Sequence, residues 1–304
     1  MNSRNIALLA AFSTAIIYGV SYTVAKELMP NYIAPFALIF FRVFGAAVLF
    51  WFAGIFIKKQ HIARKDYPRI VLATVFGTSM NMLCFYKGLN DTTPITAAAI
   101  GVATPIMAML FSALLLKEPM HRNKILGVII GLVGAFVLIT YRQDLRQAEN
   151  AVFGNFLVFV NAASYGLYLV IVKSLLEKYH PVHIVKWMYL IGILFVLPFS
   201  YTELISIKWQ QMPGEMVIRL LYVIVFTTFL NYLFNLFALT KLKPTTVSVF
   251  VYLQPVFASI YALFVDSDTL SLVKVLATLA IFFGVYMVSR PERKPAANKE
   301  AVHP

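Results

Sequence analysis

Ten apolar stretches alternate with shorter polar ones along the chain, at 5–26, 34–57, 68–88, 94–117, 123–140, 153–175, 182–201, 216–239, 245–265 and 271–289. A helix needs about 20 mostly apolar residues to cross the hydrocarbon of a bilayer, and these stretches have that length. Lipid offers the backbone no hydrogen-bond partner, so each stretch must satisfy its own amides as a helix. The pattern predicts an all-α membrane protein with ten transmembrane helices. The longer polar connections lie at 58–67, 141–152 and 202–215, and a charged, Pro- and Ala-rich tail follows Arg290.

The same pattern repeats. Tyr18-Gly19 and Lys26 meet Tyr165-Gly166 and Lys173 at an offset of 147. Further along, Phe76, Asn81, Leu89, Pro94, Pro105, Lys124 and Gly134 meet Phe226, Asn231, Leu239, Pro244, Pro255, Lys274 and Gly284 at an offset of 150. Apolar composition alone would not pair Pro, Asn and Lys in this way, so the chain reads as a duplication. The first five-helix repeat covers 1–141, a polar linker covers 142–152, the second repeat covers 153–290, and a disordered cytoplasmic tail covers 291–304. Five spans is an odd number, so the second repeat enters the membrane from the opposite side, as in many secondary transporters.

Polar side chains inside these segments mark particular helix faces. Thr14, Tyr18 and Ser21 share one face of the first segment, and their partners Asn161, Tyr165 and Tyr168 share one face of the sixth. Thr78, Asn81 and Phe85 of the third segment correspond to Thr228, Asn231 and Asn235 of the eighth. Such groups are costly in lipid, so they line a central cavity or bond across helices as packing glue. Pro105 and Pro255 fall near the middle of segments four and nine, where each would kink its helix and free a carbonyl, and both read as hinges. Thr104, Tyr252 and Gln254 place polar groups beside these breaks. Arg42 is the one charge well inside a segment; it must reach water, a carbonyl or an anion, and it suits a substrate carboxylate. Lys186 beside Trp187 reads as a snorkelling lysine. The predicted substrate-binding set is therefore Tyr18, Ser21, Arg42, Asn81, Thr104, Tyr165, Tyr168, Asn231, Asn235, Tyr252 and Gln254. Glu118 and Asp268, repeat partners each six residues ahead of a lysine, read as gate or helix-capping charges.

Composition removes several alternatives. Hydrophobic residues make up 60% of the chain and charged residues 13%, with a mean hydropathy of +0.78, which leaves no room for a soluble domain. The net charge of +13 comes from Lys and Arg in short loops, mostly on the side of the N-terminus. That asymmetry predicts cytoplasmic termini rather than a nucleic-acid surface. The N-terminal apolar run has no convincing small-residue cleavage site and reads as a retained span. Cys84 is the single cysteine and reads as a packed small residue. Acidic residues and histidines sit at segment ends or in loops, so neither a buried proton relay nor a carboxylate sodium site is expected. No phosphate loop, metal spacing or catalytic set occurs, so no enzyme activity and no cofactor is expected. Gly127, Gly131 and Gly134 form a small-residue face for close packing within the chain or between chains, which leaves the oligomeric state open.

The Tyr-Gly pairs, Arg42 on the second span, and the stretch from Pro94 through Pro105 to Leu116-Lys117-Glu118-Pro119 resemble the EamA-type members of the drug/metabolite transporter superfamily. Lys117 stands where that family usually has Gly, and Ser267-Asp268 replaces its Gly-Glu in the second half. The resemblance implies a central cavity between two halves and the export or exchange of small metabolites. Together these readings point to a secondary-active or facilitative transporter in a bacterial-type inner membrane. It would export amino acids or related amphiphilic solutes, zwitterionic or anionic, by alternating access. The alternatives are a non-transporting membrane scaffold or assembly protein, and a passive pore.

Overall fold

The computed structural model describes residues 3–117, 122–140, 150–241, 250 and 253–289. Glu118, Tyr252, most of the polar linker and the tail lie outside the described residues.

Every regular element among the described residues is helical. The first two helices are α1 (Ser3–Leu28) and α2 (Pro35–Ala53). The third run comprises α3 (Tyr67–Thr74), a π-helical turn at Val75–Ser79, and α4 (Met80–Asp91). It is followed by α5 (Pro94–Gly101), α6 (Thr104–Leu116) and α7 (Arg122–Thr140). The second half holds α8 (Ala151–Leu176), α9 (Pro181–Ile205) and α10 (Gly214–Tyr222). A π-helical stretch at Val223–Leu230 then leads into α11 (Asn231–Lys241), and α12 (Gln254–Phe264) and α13 (Leu272–Ser289) complete the described helices. Among the described residues seven helical stretches are long and apolar enough to cross a membrane, and α12 and α13 are shorter apolar helices. The protein is an integral membrane protein by these criteria.

Local sequence explains where the helices start and stop. Proline opens α2, α5 and α9, where the missing N–H lacks an intrahelical partner anyway and the fixed φ suits the first turn. Thr93 caps α5 by accepting from the amide of Thr96 at 3.4 Å. Lys117 ends α6 in the left-handed region, at φ 54°.

Helices pack in matched groups. α4 and α6 pack on α8, while α11 and α12 pack on α1. α2 pairs with α9, and α7 pairs with α13. The last pairing uses the small-residue face: a Cβ on Gly284 would lie 2.5 Å from the carbonyl O of Gly127, and one on Gly134 would lie 2.8 Å from that of Ala277. These glycines therefore bring two helices of the same chain together.

The prolines differ from the sequence reading. Pro105 and Pro255 are not inside kinked helices; each occupies one of the first two positions of a new helix, α6 or α12. Residues Val102 and Ala103 form a turn between α5 and α6, with their amides bonded back to the carbonyls of Ala99 (3.2 Å) and Ile100 (2.9 Å). Pro105 has no N–H to give to the carbonyl of Gly101, and the Thr104 hydroxyl takes that carbonyl instead at 2.9 Å. The fourth segment is a broken helix rather than a bent one.

Candidate functional site

The breaks border a cavity of about 160 Å³ in the middle of the bundle. That volume has room for a small solute or roughly ten waters. α1 contributes Thr14, Tyr18, Ser21 and Tyr22; α2 contributes Arg42; α4 contributes Asn81, Met82, Phe85 and Tyr86. The broken segments add Gly101, Thr104 and Gln254, α8 adds Asn161 and Tyr165, and the run through α11 adds Thr227, Tyr232 and Asn235.

Arg42 is the electrostatic centre of this wall. It is 5% exposed, its Nε donates to Thr228 Oγ1 at 2.8 Å, and its Nη1 donates to the Tyr86 hydroxyl. Its guanidinium carbon sits 5.1 Å from the centre of the Tyr86 ring. The Thr228 hydroxyl can accept from Arg42 because its own proton goes to the Val223 carbonyl at 3.0 Å. That i to i−5 reach belongs to the π-helical stretch Val223–Leu230, a geometry often found where a helix is adapted to function. Among the described residues no carboxylate pairs with Arg42, so a buried positive charge borders the cavity with only neutral oxygens and rings around it.

The remaining wall divides into engaged and available groups. The side-chain amide of Asn81 donates to the Asn161 carbonyl at 3.2 Å, and that of Asn161 donates back to the Asn81 carbonyl at 2.9 Å. This reciprocal clamp ties α4 to α8, so these two amides act in helix packing as well as in the wall. Thr14 and Ser21 give their protons to the carbonyls of Ala11 and Tyr18, each at 2.7 Å, and offer acceptor lone pairs. Thr227 is 1% exposed and its Oγ1 has no hydrogen-bond partner among the described residues. The amides of Asn235 and Gln254 form no hydrogen bond with any described residue.

Eight of the sequence-predicted residues thus converge on one cavity: Tyr18, Ser21, Arg42, Asn81, Thr104, Tyr165, Asn235 and Gln254. Two others stand behind it. Tyr168 packs its ring onto Gly77, where a Cβ would lie 2.3 Å from its Cδ2, and belongs to a separate apolar cluster. Asn231 is 1% exposed and meets the Tyr18 hydroxyl from outside the lining. Asp268 is far along α12's exit rather than in the wall: its carboxylate accepts from the Ile95 amide at 3.0 Å and from Lys274 Nζ at 2.9 Å, capping α5. Lys186 places its ammonium 4.6 Å from the centre of the Trp51 ring.

A model of the EamA-like transporter family matches residues 5–140 and 152–290. The chain belongs to the EamA-like transporter family. Relatives of this EamA-like protein include an uncharacterized transporter of Archaeoglobus fulgidus, 25% identical over 91% of this chain and 96% of that one. The uncharacterized transporter YyaM of Bacillus subtilis is 23% identical over 96% of this chain and 95% of its own. The WAT1-related protein At3g02690, chloroplastic, of Arabidopsis thaliana is 22% identical, covering 92% of this chain and 68% of that one. A solved crystal structure, 16% identical, superposes with a TM-score of 0.60 over 92% of this chain and 94% of that chain, which shows a shared fold.

Sequence reasoning missed the aromatic part of this EamA-like cavity. Tyr22, Tyr86 and Tyr232 line it, yet in the sequence they resemble the many aromatics of an apolar helix. Tyr22 carried a usable signal, since it lies one helical turn beyond Tyr18 on the same face. Tyr86 carried none, because its place is set by the contact with Arg42, which lies on another helix.

Proposed function

We infer that this protein is a carrier that moves a small solute through the central cavity by alternating access, exporting amino acids or related amphiphilic metabolites. The observation that carries the reading is Arg42: a buried guanidinium with neutral partners, facing a cavity built by broken helices. Two helix N-termini, those of α6 and α12, begin at the same cavity, and their dipoles add to the positive field. A solute carboxylate beside Arg42 would answer both, with the free amides of Asn235 and Gln254 and the tyrosine hydroxyls orienting the rest of the molecule.

The duplication supports two five-helix repeats of opposite orientation, with ten spans in all. α4 and α6 on α8 in one group, against α11 and α12 on α1 in the other, is the exchange that a two-fold axis in the membrane plane would produce. Pro105 and Pro255, each opening a helix at the cavity, would serve as the points about which the groups bend. Lys and Arg asymmetry supports cytoplasmic termini in an inner membrane of bacterial type.

Purified protein in liposomes tests the reading. Uptake of labelled amino acids and organic anions should saturate with concentration and accelerate when unlabelled solute is loaded on the other side. Uptake linear in concentration would make the protein a pore, and no flux for any solute of either class would favour a scaffold.

A further inference from the structure

The two groups of helices touch at one end of the bundle through a pair of polar contacts. Lys26, near the end of α1, donates from Nζ to the carbonyl of Leu89 at 2.9 Å and to that of Asn90. These are carbonyls of the last turn of α4, which lack intrahelical partners and carry the negative end of the helix dipole. Asp268, just past α12, accepts from the amide of Ile95 in the first turn of α5. In both contacts one partner belongs to the α1, α11, α12 group and the other to the run from α4 to α6.

The repeat supplies a second lysine in the same role. Lys26 corresponds to Lys173 and Leu89 to Leu239, so the counterpart of the first contact would join Lys173 of α8 to the last turn of α11 (Asn231–Lys241). α8 begins beside the end of α4, since a Cβ on Gly154 would lie 2.8 Å from Cβ of Asp91. Lys173 is 19 residues further along, about 28 Å away at 1.5 Å per residue, at the opposite end of the bundle. There it is exposed and has no partner among the described residues.

We propose that Lys26 and Lys173 are alternating latches: each closes one end of the cavity by binding the last-turn carbonyls of the helix across the group boundary, and only one is closed at a time. The proposal rests on the alternating-access reading. The structure has the Lys26 latch closed and the Lys173 latch open. The last-turn carbonyls of an α-helix have no partner within the helix, so either lysine finds the same chemistry when the groups rock. A lysine suits the role because its flexible stem delivers a single ammonium to two carbonyls and releases them without a rigid fork.

Electron spin resonance distance measurements on the full chain test this without a known substrate. In a Cys84→Ser background, spin labels on Asn31→Cys and Asn150→Cys span the Lys26 end, and labels on Asn5→Cys and Glu177→Cys span the Lys173 end; all four positions are exposed. Lys26→Met should shift the populations by about tenfold toward a longer distance at the Lys26 end and a shorter one at the Lys173 end. Adding Lys173→Met should bring the populations back toward the parent, and Lys26→Arg should keep the parent pattern. Lys173 is exposed, so its variant leaves the fold intact even where Lys26→Met fails to fold; alone, it should remove any population closed at the Lys173 end. Two distances in unchanged proportion across all variants would overturn the latches and leave alternating access standing. One invariant distance at each end would overturn both.

Discussion

Gly19 and Gly166 make the same contact at equivalent places in the two halves. A Cβ on Gly19 would lie 2.5 Å from Cβ of Phe257 and 3.0 Å from the amide nitrogen of Ala258. A Cβ on Gly166 would lie 2.7 Å from the amide nitrogen of Ala108 and 3.0 Å from Cβ of Met107. Residues 107 and 108 are the repeat partners of 257 and 258, two and three positions beyond the helix-opening prolines. The glycine lets each cavity helix lie directly against the broken one, which holds Tyr18 and Tyr165 in the wall.

Gly166→Ala should therefore cost about 1–3 kcal/mol through overpacking against backbone that cannot move aside. Thermal unfolding in detergent would show a lower midpoint than the parent. Gly214→Ala is the control, since nothing lies within 4 Å of its added Cβ, and its midpoint should be unchanged or higher.

Arg42→Ala should weaken transport of carboxylate-bearing solutes by about tenfold to a hundredfold, the worth of a hydrogen bond to a charged group, and should affect neutral solutes less. Competition uptake with matched acid and amide pairs measures the difference. Equal loss for both would make Arg42 a structural residue bonded only to Thr228 and Tyr86.

Asp268 and Lys274 form a buried ion pair, each side chain 3% exposed, with Lys274 also donating to the Thr269 carbonyl at 2.9 Å. Asp268→Asn or Lys274→Met alone leaves one buried charge unpaired and should destabilise by about 3–5 kcal/mol. The double substitution should recover part of that loss, and a thermal-unfolding cycle of the four proteins reads it. Strict additivity would mean that the two charges do not depend on each other.

Lys117 occupies the left-handed region that favours glycine, and the same region is taken by Asp266 at φ 52°. Lys117→Gly should raise stability by about 1 kcal/mol, because a side chain costs roughly that much in this conformation. An unchanged or lower unfolding midpoint would place the cost elsewhere. The departure from the family's usual glycine noted in the sequence is thus a departure at a helix end, where it affects the backbone rather than the cavity.

The positions of the seven spans found among the described residues, and of eight cavity residues, were legible because their signals are local. Apolar length marks a span, and polar residues at helical spacing mark a face; Thr14, Tyr18 and Ser21 needed nothing more. The proline breaks were half legible: a proline must disturb a helix, but whether the helix bends or restarts depends on who takes the freed carbonyl, here Thr104. The π-helical turns left no trace in composition, yet one of them gives Thr228 the geometry to hold Arg42. Tyr86 and Tyr232 were hidden because their roles come from neighbours on other helices. The engagement of the Asn81 and Asn161 amides with each other was hidden for the same reason.

The most direct test of a cavity open to one side at a time is the labelling of Asn235→Cys in a Cys84→Ser background, with a membrane-impermeant thiol reagent added to either face of sealed, oriented vesicles. Labelling should be fast from one face and slow from the other, with a change in that ratio when a transported solute is added. Fast labelling from both faces regardless of solute, or from neither, would contradict a cavity of that kind.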